Sequence, residues 1–243
     1  MQIEDAALIV SVQHYAERDF IVHAFTQHYG MVHGLIKGSR SKKTANAMDI
    51  GVLGDMHWQA RLPEHLGTMR FESRHHYGAL LLHDRVRLCM LSSACALIRS
   101  SFALHDPHIT VFDHVCALFG QLCSTNDKTT QARAYIAFEC MLLEEAGYGL
   151  DFSQCAATGS TKNLHYVSPK SGRAVSAEAA EPYRHRLLPL PAFLCEGQGN
   201  HAPQIDEIAN GLHLTGHFIA GSLREIAGKD LPPARLQLSA MFA

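Results

Sequence analysis

Residues 7–43 read ALIVSVQHYAERDFIVHAFTQHYGMVHGLIKGSRSKK, and their punctuation sets the architecture of the first third of the chain. Ala7-Leu8-Ile9-Val10-Ser11-Val12 is β-branched and apolar, as a strand requires. A polar turn leads to Phe20-Ile21-Val22-His23-Ala24-Phe25-Thr26, and Gly30 separates that run from Met31–Ile36. Working outward, Leu53–Leu62 and Thr68–Tyr77 alternate apolar and polar positions: Met69, Phe71 and Ser73 against Arg70, Glu72 and Arg74. Five short strands within 80 residues, joined by turn chemistry, predict a small antiparallel barrel. The pattern fits an OB-fold and an SH3-like barrel equally.

Past His83 the period changes to that of a helix. Val86, Cys89, Met90, Ser93, Ala96, Leu97 and Ile98 recur at helical spacing. Val111–Leu122 and Ala132–Ala146 do the same, the latter running into Gly147 as a helix C-terminus should. Residues 148–190 lose periodicity and predict an irregular insertion. Ile205, Ile208, Leu212, His213 and Phe218 predict a further helix, and Pro232-Pro233 starts a last short one. The expected division is a barrel over 1–80 and an α-helical domain over 81–243, an α+β chain.

With 47% hydrophobic and 18% charged residues in 243, the chain can bury enough surface to fold, so disorder is excluded. Every apolar stretch is interrupted before the roughly 18 residues that a membrane span needs. Seven cysteines in an odd set without CxxC spacing, and no leader pattern, point to a reducing cytoplasm.

The formal net charge of −2 argues against nucleic acid only until it is resolved by segment. Residues 1–30 carry −3, 31–48 carry +4, 49–82 carry −1, 83–150 carry −2, 151–187 carry +2 and 188–243 carry −2. The +4 block is Lys37, Arg40, Lys42 and Lys43 in a Gly/Ser segment, with no acid between Asp19 and Asp49. Basic side chains beside exposed amides and hydroxyls suit a phosphate backbone, although a solvated loop has the same composition. A second basic block comprises Lys162, Lys170, Arg173, Arg184 and Arg186. Phe20, Phe25, Tyr29 and Trp58 are the aromatic residues that could stack on bases or fill the core. Phe20 and Phe25, an odd number apart, cannot share a strand face.

No arrangement for catalysis emerges. His213 and His217 have the i,i+4 spacing of two ligands on one helix face, but no glutamate follows His213. His75-His76 and His105 with His108 are pairs expected by chance among 17 histidines. The sequence holds neither a GxSxG elbow nor a glycine-rich loop ending in Lys-Ser/Thr. Cys89, Cys95, Cys116, Cys123 and Cys140 fall in apolar helical runs and read as core. The expectation is a protein that is not an enzyme and needs no cofactor.

Two segments together resemble the bacterial RecO family of DNA repair proteins. In the first, an apolar strand meets the turn of Tyr15, Glu17 and Asp19, a second strand ends in Phe25-Thr26, and a third closes with Lys37-Gly38 and Arg40. The second runs from Leu142-Leu143 through Gly147-Tyr148-Gly149-Leu150-Asp151 to Cys155 and Thr158-Gly159. It continues in Tyr166–Val175 and Leu187-Leu188-Pro189-Leu190-Pro191. The resemblance implies an N-terminal OB-fold and an α-helical domain. It implies a recombination mediator of the RecF pathway that binds single- and double-stranded DNA and anneals complementary strands. Its implied partners are RecR, single-stranded DNA-binding protein and, indirectly, RecA, in a cytoplasmic, nucleoid-associated setting. The expected DNA contacts are Lys37, Arg40, Lys42, Lys43, Lys170 and Arg173; Arg85, Arg87, Arg99 and Arg133 are candidates for an acidic partner tail. An adaptor whose barrel is only a scaffold is the alternative. Many relatives hold a four-cysteine zinc cluster in the insertion; here residues 156–194 contain no cysteine, so no metal is expected and Cys155 reads as a remnant of the cluster or a buried thiol.

Overall fold

The computed structural model describes residues 1–15, 19–38, 49–62, 65–195 and 203–243. Five strands, β1 (Gln2–Tyr15), β2 (Asp19–Thr26), β3 (Gly30–Ile36), β4 (Val52–Gln59) and β5 (Gly67–His76), close a barrel in the order β1-β2-β3-β5-β4. All pairings are antiparallel except β3 with β5, which meet in parallel at Gly34↔Gly67 and Leu35↔Thr68. The 14-residue β1 pairs with both β4 and β2, and a bulge between Ile9 and Ser11 lets it bend from one to the other. This strand order is that of an OB-fold and decides between the two barrels that the sequence pattern left open.

The barrel interior holds Ile3, Ala7, Ile9, Phe20, Val22, Ala24, Val32, Ile36, Val52, Met56, Trp58 and Met69. Trp58 is 1% exposed, and its indole Nε1 donates to the His33 carbonyl at 2.7 Å. Its ring needs space at the closure: a Cβ on Gly67 would lie 2.2 Å from Trp58 Nε1, and one on Gly34 3.0 Å from Cδ1. The two glycines that face each other across the parallel ladder are thus what allows the barrel to shut around its largest side chain.

Leu8, Val10, Phe25 and Met31 are also buried, although they point away from that interior. Their cover comes from helices α2 (Arg85–Ser101) and α3 (Ile109–Ser124), which follow the short α1 (Tyr77–Leu80). Phe25 packs against Phe102 at 6.0 Å and Phe112 at 6.1 Å between ring centroids. A strand covered on both faces reads as a continuous apolar run, which is why Ala7–Val10 does not alternate. The last barrel strand ends at His76, and the compact unit that contains the barrel runs through residues 1–124 and takes in 232–235. Asp84 caps α2, accepting from the backbone N–H of Val86 and Arg87 at 3.0 and 3.1 Å.

The second compact unit comprises 125–231 and 236–243. It contains α4 (Lys128–Glu145) and α6 (Ile205–Ala227), and the chain ends in α7 (Pro233–Ala240). The expected irregular insertion, 148–190, has no helix or strand before Leu164 and only short elements after it. Strands β6 (Leu164–Val167), β7 (Ala174–Ser176) and β8 (Leu188–Pro189) form an antiparallel sheet in the order β7-β6-β8, with α5 (Ala177–Ala180) and a 3₁₀ turn over Glu181–Arg186. Cys155, Leu164, Val167, Ala174, Val175, Leu188, Leu190, Cys195 and Leu214 build a core beneath them. Strands of four, three and two residues are too short to display a period.

Candidate nucleic-acid interface

One part of the barrel's outer surface that α2 and α3 leave open lies at the far ends of β1, β2 and β3. Since Phe20 and Val22 point inward, their neighbours Ile21 and His23 point out. Register then aligns cross-strand rows on this face: Ser11, His23 and His33; Gln13, Ile21 and Leu35; Tyr15 and Asp19. Exposure rises along the rows. His23 and His33 are partly covered, Ile21 and Leu35 are half-buried, and Tyr15 is 53% exposed. Lys37 follows β3 directly and is exposed. The Asp19 carboxylate accepts the Gly38 N–H at 2.9 Å, which fixes the point where the basic segment leaves the barrel.

His23 contributes no cation to this face at neutral pH. Burial first, then the charges of Arg99 and His33, push its pKa down to about 4. The opposite outer face, on β1, β4 and β5, has a cavity of about 450 Å³ lined by Gln2, Glu4, His57, Gln59, Thr68 and Arg70. There Asp55 pairs with Arg74, and the carboxylates of Glu4 and Glu72 line the cavity, so a polyanion gains little.

Of the expected DNA contacts on the barrel, Lys37 sits at the edge of the open face, while Arg40, Lys42 and Lys43 lie outside the described residues, as does Glu17. Lys170 is exposed at the tight turn of Ser168–Gly172, where Ser171 and Gly172 donate to the Ser168 carbonyl at 3.3 and 2.9 Å. Arg173 Nε lies 3.4 Å from an Asp151 carboxylate oxygen, which offsets part of its charge. Three of the four candidate stacking aromatics are core: Phe20 and Trp58 inside the barrel, Phe25 under the helices. Tyr29, 42% exposed at the β2–β3 turn, is the exception. The aromatic that sequence reasoning missed is Tyr15. Its signal was parity: counted along β2 from inward Phe20, the partners of Asp19 and Ile21 must face out.

The arginines expected to meet a partner are divided between the two units. Arg85 and Arg99 are exposed on α2, 14 positions and therefore about 21 Å apart along the helix. Arg87 is held inside its unit, pairing with Asp84 at 3.0 Å and donating to the Leu122 carbonyl at 3.2 Å. Arg133 is an exposed residue of α4 whose guanidinium lies 5.9 Å from the centre of the Phe193 ring.

Zinc does not fit the surroundings of Cys155. The residue is 1% exposed and its sulfur accepts the Ser176 N–H at 3.3 Å. Burial opposes ionisation of this thiol, but hydrogen bonds from the Thr158 hydroxyl, the Ser176 N–H and hydroxyl and the Ala157 N–H outweigh it and bring the pKa down to about 6. Such donors are compatible with a thiolate, so what speaks against zinc is the lack of companion ligands: residues 156–194 hold no cysteine. Among the described residues, no three of His, Cys, Asp and Glu are grouped to hold an ion. His213 and His217 lie exposed on α6, and His108 pairs with Asp106 at 3.2 Å.

This barrel and the segment after it match two family models, Recombination protein O N terminal over residues 1–76 and Recombination protein O C terminal over residues 82–229. The chain belongs to the RecO family. It is similar to the DNA repair protein RecO of Rhodospirillum centenum, 41% identical over 97% of this chain and 92% of the relative. The proteins of the same name from Cereibacter sphaeroides strain ATCC 17029 and Methylocella silvestris are 38% and 37% identical, and each match spans all of this chain. Membership assigns the chain to DNA repair and recombination. Among the described residues no helix is long and apolar enough to cross a membrane.

Proposed function

We propose that this RecO-family chain is a non-catalytic recombination mediator that binds single- and double-stranded DNA and anneals complementary strands. With RecR it assists loading of RecA on DNA coated by single-stranded DNA-binding protein, in the cytoplasm at the nucleoid. The observation that supports this reading is the open β1–β2–β3 face, where exposed Tyr15 and half-buried Ile21 and Leu35 lead to Lys37 and the basic segment. Bases stack on Tyr15 while Lys37, Arg40, Lys42 and Lys43 contact phosphates, and base pairing supplies the specificity of annealing. Lys170 and Arg173 add phosphate contacts from the second unit. Exposed Arg85, Arg99 and Arg133 are the positions for acidic protein partners, with Arg87 holding the start of α2.

The test is the salt dependence of oligothymidylate binding. Six phosphate contacts on a single strand give a log–log slope of about −4, of which the four barrel cations supply about −3. Replacing Lys37, Arg40, Lys42 and Lys43 together with alanine leaves only the small slope of Lys170 and Arg173, and Tyr15→Ala weakens binding with the slope unchanged. A slope that survives the fourfold replacement undiminished moves the site off the barrel. A wild-type chain that captures RecR yet fails to bind DNA at low salt is the adaptor instead.

A further inference from the structure

The 3₁₀ turn Glu181–Arg186 of the second unit has all six residues exposed. Tyr183 is 59% exposed, with its ring presented to water. Beside it in the chain, the Arg184 guanidinium lies 5.7 Å from the centre of the Tyr166 ring. Tyr166 belongs to β6, the central strand of the small sheet, where Val175 and Pro189 flank it, so the backbone that carries this ring is paired on both sides. Arg186 Nε donates to His185 Nε2 at 3.2 Å, and His165 is exposed on β6. Lys162 enters β6 with its backbone N–H on the Ser160 hydroxyl at 3.2 Å. Of the two nearby acids, Glu178 accepts from the Asn163 side-chain amide at 3.1 Å, and Glu181 starts the turn.

An exposed tyrosine, and next to it a guanidinium already resting on a second ring, make poor solvent-facing structure and good stacking structure. An arginine held over a ring is oriented before a ligand arrives and keeps its other side for a planar group. Nucleobases are that group, and Lys162 and Arg186 supply the cations their phosphates require. An acidic peptide would use the same cations but give Tyr183 nothing to stack on.

We infer that Tyr183 and Arg184 form a base-stacking site for single-stranded nucleic acid on the second unit, flanked by Lys162 and Arg186. The inference rests on the nucleic-acid reading above but not on the barrel face, and it adds a contact of a different kind from the phosphate contacts of Lys170 and Arg173.

The test uses the intact chain and an oligothymidylate carrying 5-iodouracil. After irradiation, peptides cross-linked to the oligonucleotide are mapped. The expected result is cross-linking at Tyr183 as well as at Tyr15. Tyr183→Ala removes the former, keeps the latter and weakens binding about tenfold, and Tyr183→Phe restores both. Cross-links at Tyr15 alone overturn this inference and leave the barrel reading standing. Cross-links at Tyr183 alone uphold it and sink the barrel reading, and none at either overturns both. Arg184→Gln with Arg186→Gln is measured against the oligonucleotide and against hexaglutamate. Loss confined to the peptide shows a protein-binding surface and overturns the inference.

Discussion

His23 makes the fold's stability depend on pH in a way that one substitution removes. In the unfolded chain its imidazole takes up a proton near pH 6.5, whereas in the fold it stays neutral down to about pH 4. Between those values the unfolded chain binds the additional proton, so acidification costs stability, and the loss is complete once pH falls below 4. Each pH unit of that interval is worth about 1.36 kcal/mol, which gives roughly 2 kcal/mol by pH 5 if the site were sealed. The imidazole is half-buried, and solvent screening reduces this to about 1 kcal/mol. Its Nδ1 is buried without a hydrogen-bond partner among the described residues, so His23→Leu removes an unsatisfied atom as well as a titration. Urea unfolding at pH 7.5 and pH 5 measures the difference. Wild type is expected to lose about 1 kcal/mol more than His23→Leu across that interval, whatever the offset between the two proteins at pH 7.5. Equal losses, or an NMR titration of the His23 ring near its ordinary value, would refute the reasoning.

Other expectations follow from single contacts. Gly67→Ala drives a methyl into the Trp58 indole and should cost about 1–3 kcal/mol, read as a lower unfolding midpoint with red-shifted tryptophan fluorescence. Since Trp58 is the chain's single tryptophan, the spectrum reports that site alone. Asp84→Ala leaves two N-terminal amides of α2 uncapped and Arg87 without its carboxylate, a loss of about 1–2 kcal/mol by thermal or urea unfolding. Strong chelators should leave the melting temperature of tag-free protein unchanged, and metal analysis should find far less than one equivalent of zinc; a stoichiometric ion would contradict the environment assigned to Cys155.

The barrel was legible because its strands are separated by glycine and polar turns, and because β4 and β5 show one wet face through alternation. The same period misled where both faces are covered. Phe25 looked available as a stacking residue only because α2 and α3, which hide it, are distant in sequence. Trp58 presented the reverse difficulty: nothing local says whether an alternating tryptophan points in, and the answer depends on Gly34 and Gly67 leaving room for it. Tyr15 could have been found by carrying strand parity across the β1–β2 pair, but that needs the register, which the bulge after Ile9 shifts by one. In the second unit, the stretch from Ser168 to Arg173 was recognisable by family resemblance before its physical role was: it is the turn of a hairpin too short to announce itself.

The way the barrel grips the two ends of its basic segment separates chemistry from architecture. On one side the Asp19 carboxylate holds Gly38. On the other the Gly51 N–H donates to the Ile9 carbonyl at 2.8 Å, at the bulge in β1, and the Gly51 carbonyl accepts from Tyr77. Neither anchor uses a side chain from residues 39–48. Substitutions in that segment leave both backbone anchors in place, much as an interchangeable tool is changed in a fixed holder. On the proposed reading, variants differing only there should bind DNA with different affinity and salt response, measured beside their melting temperatures.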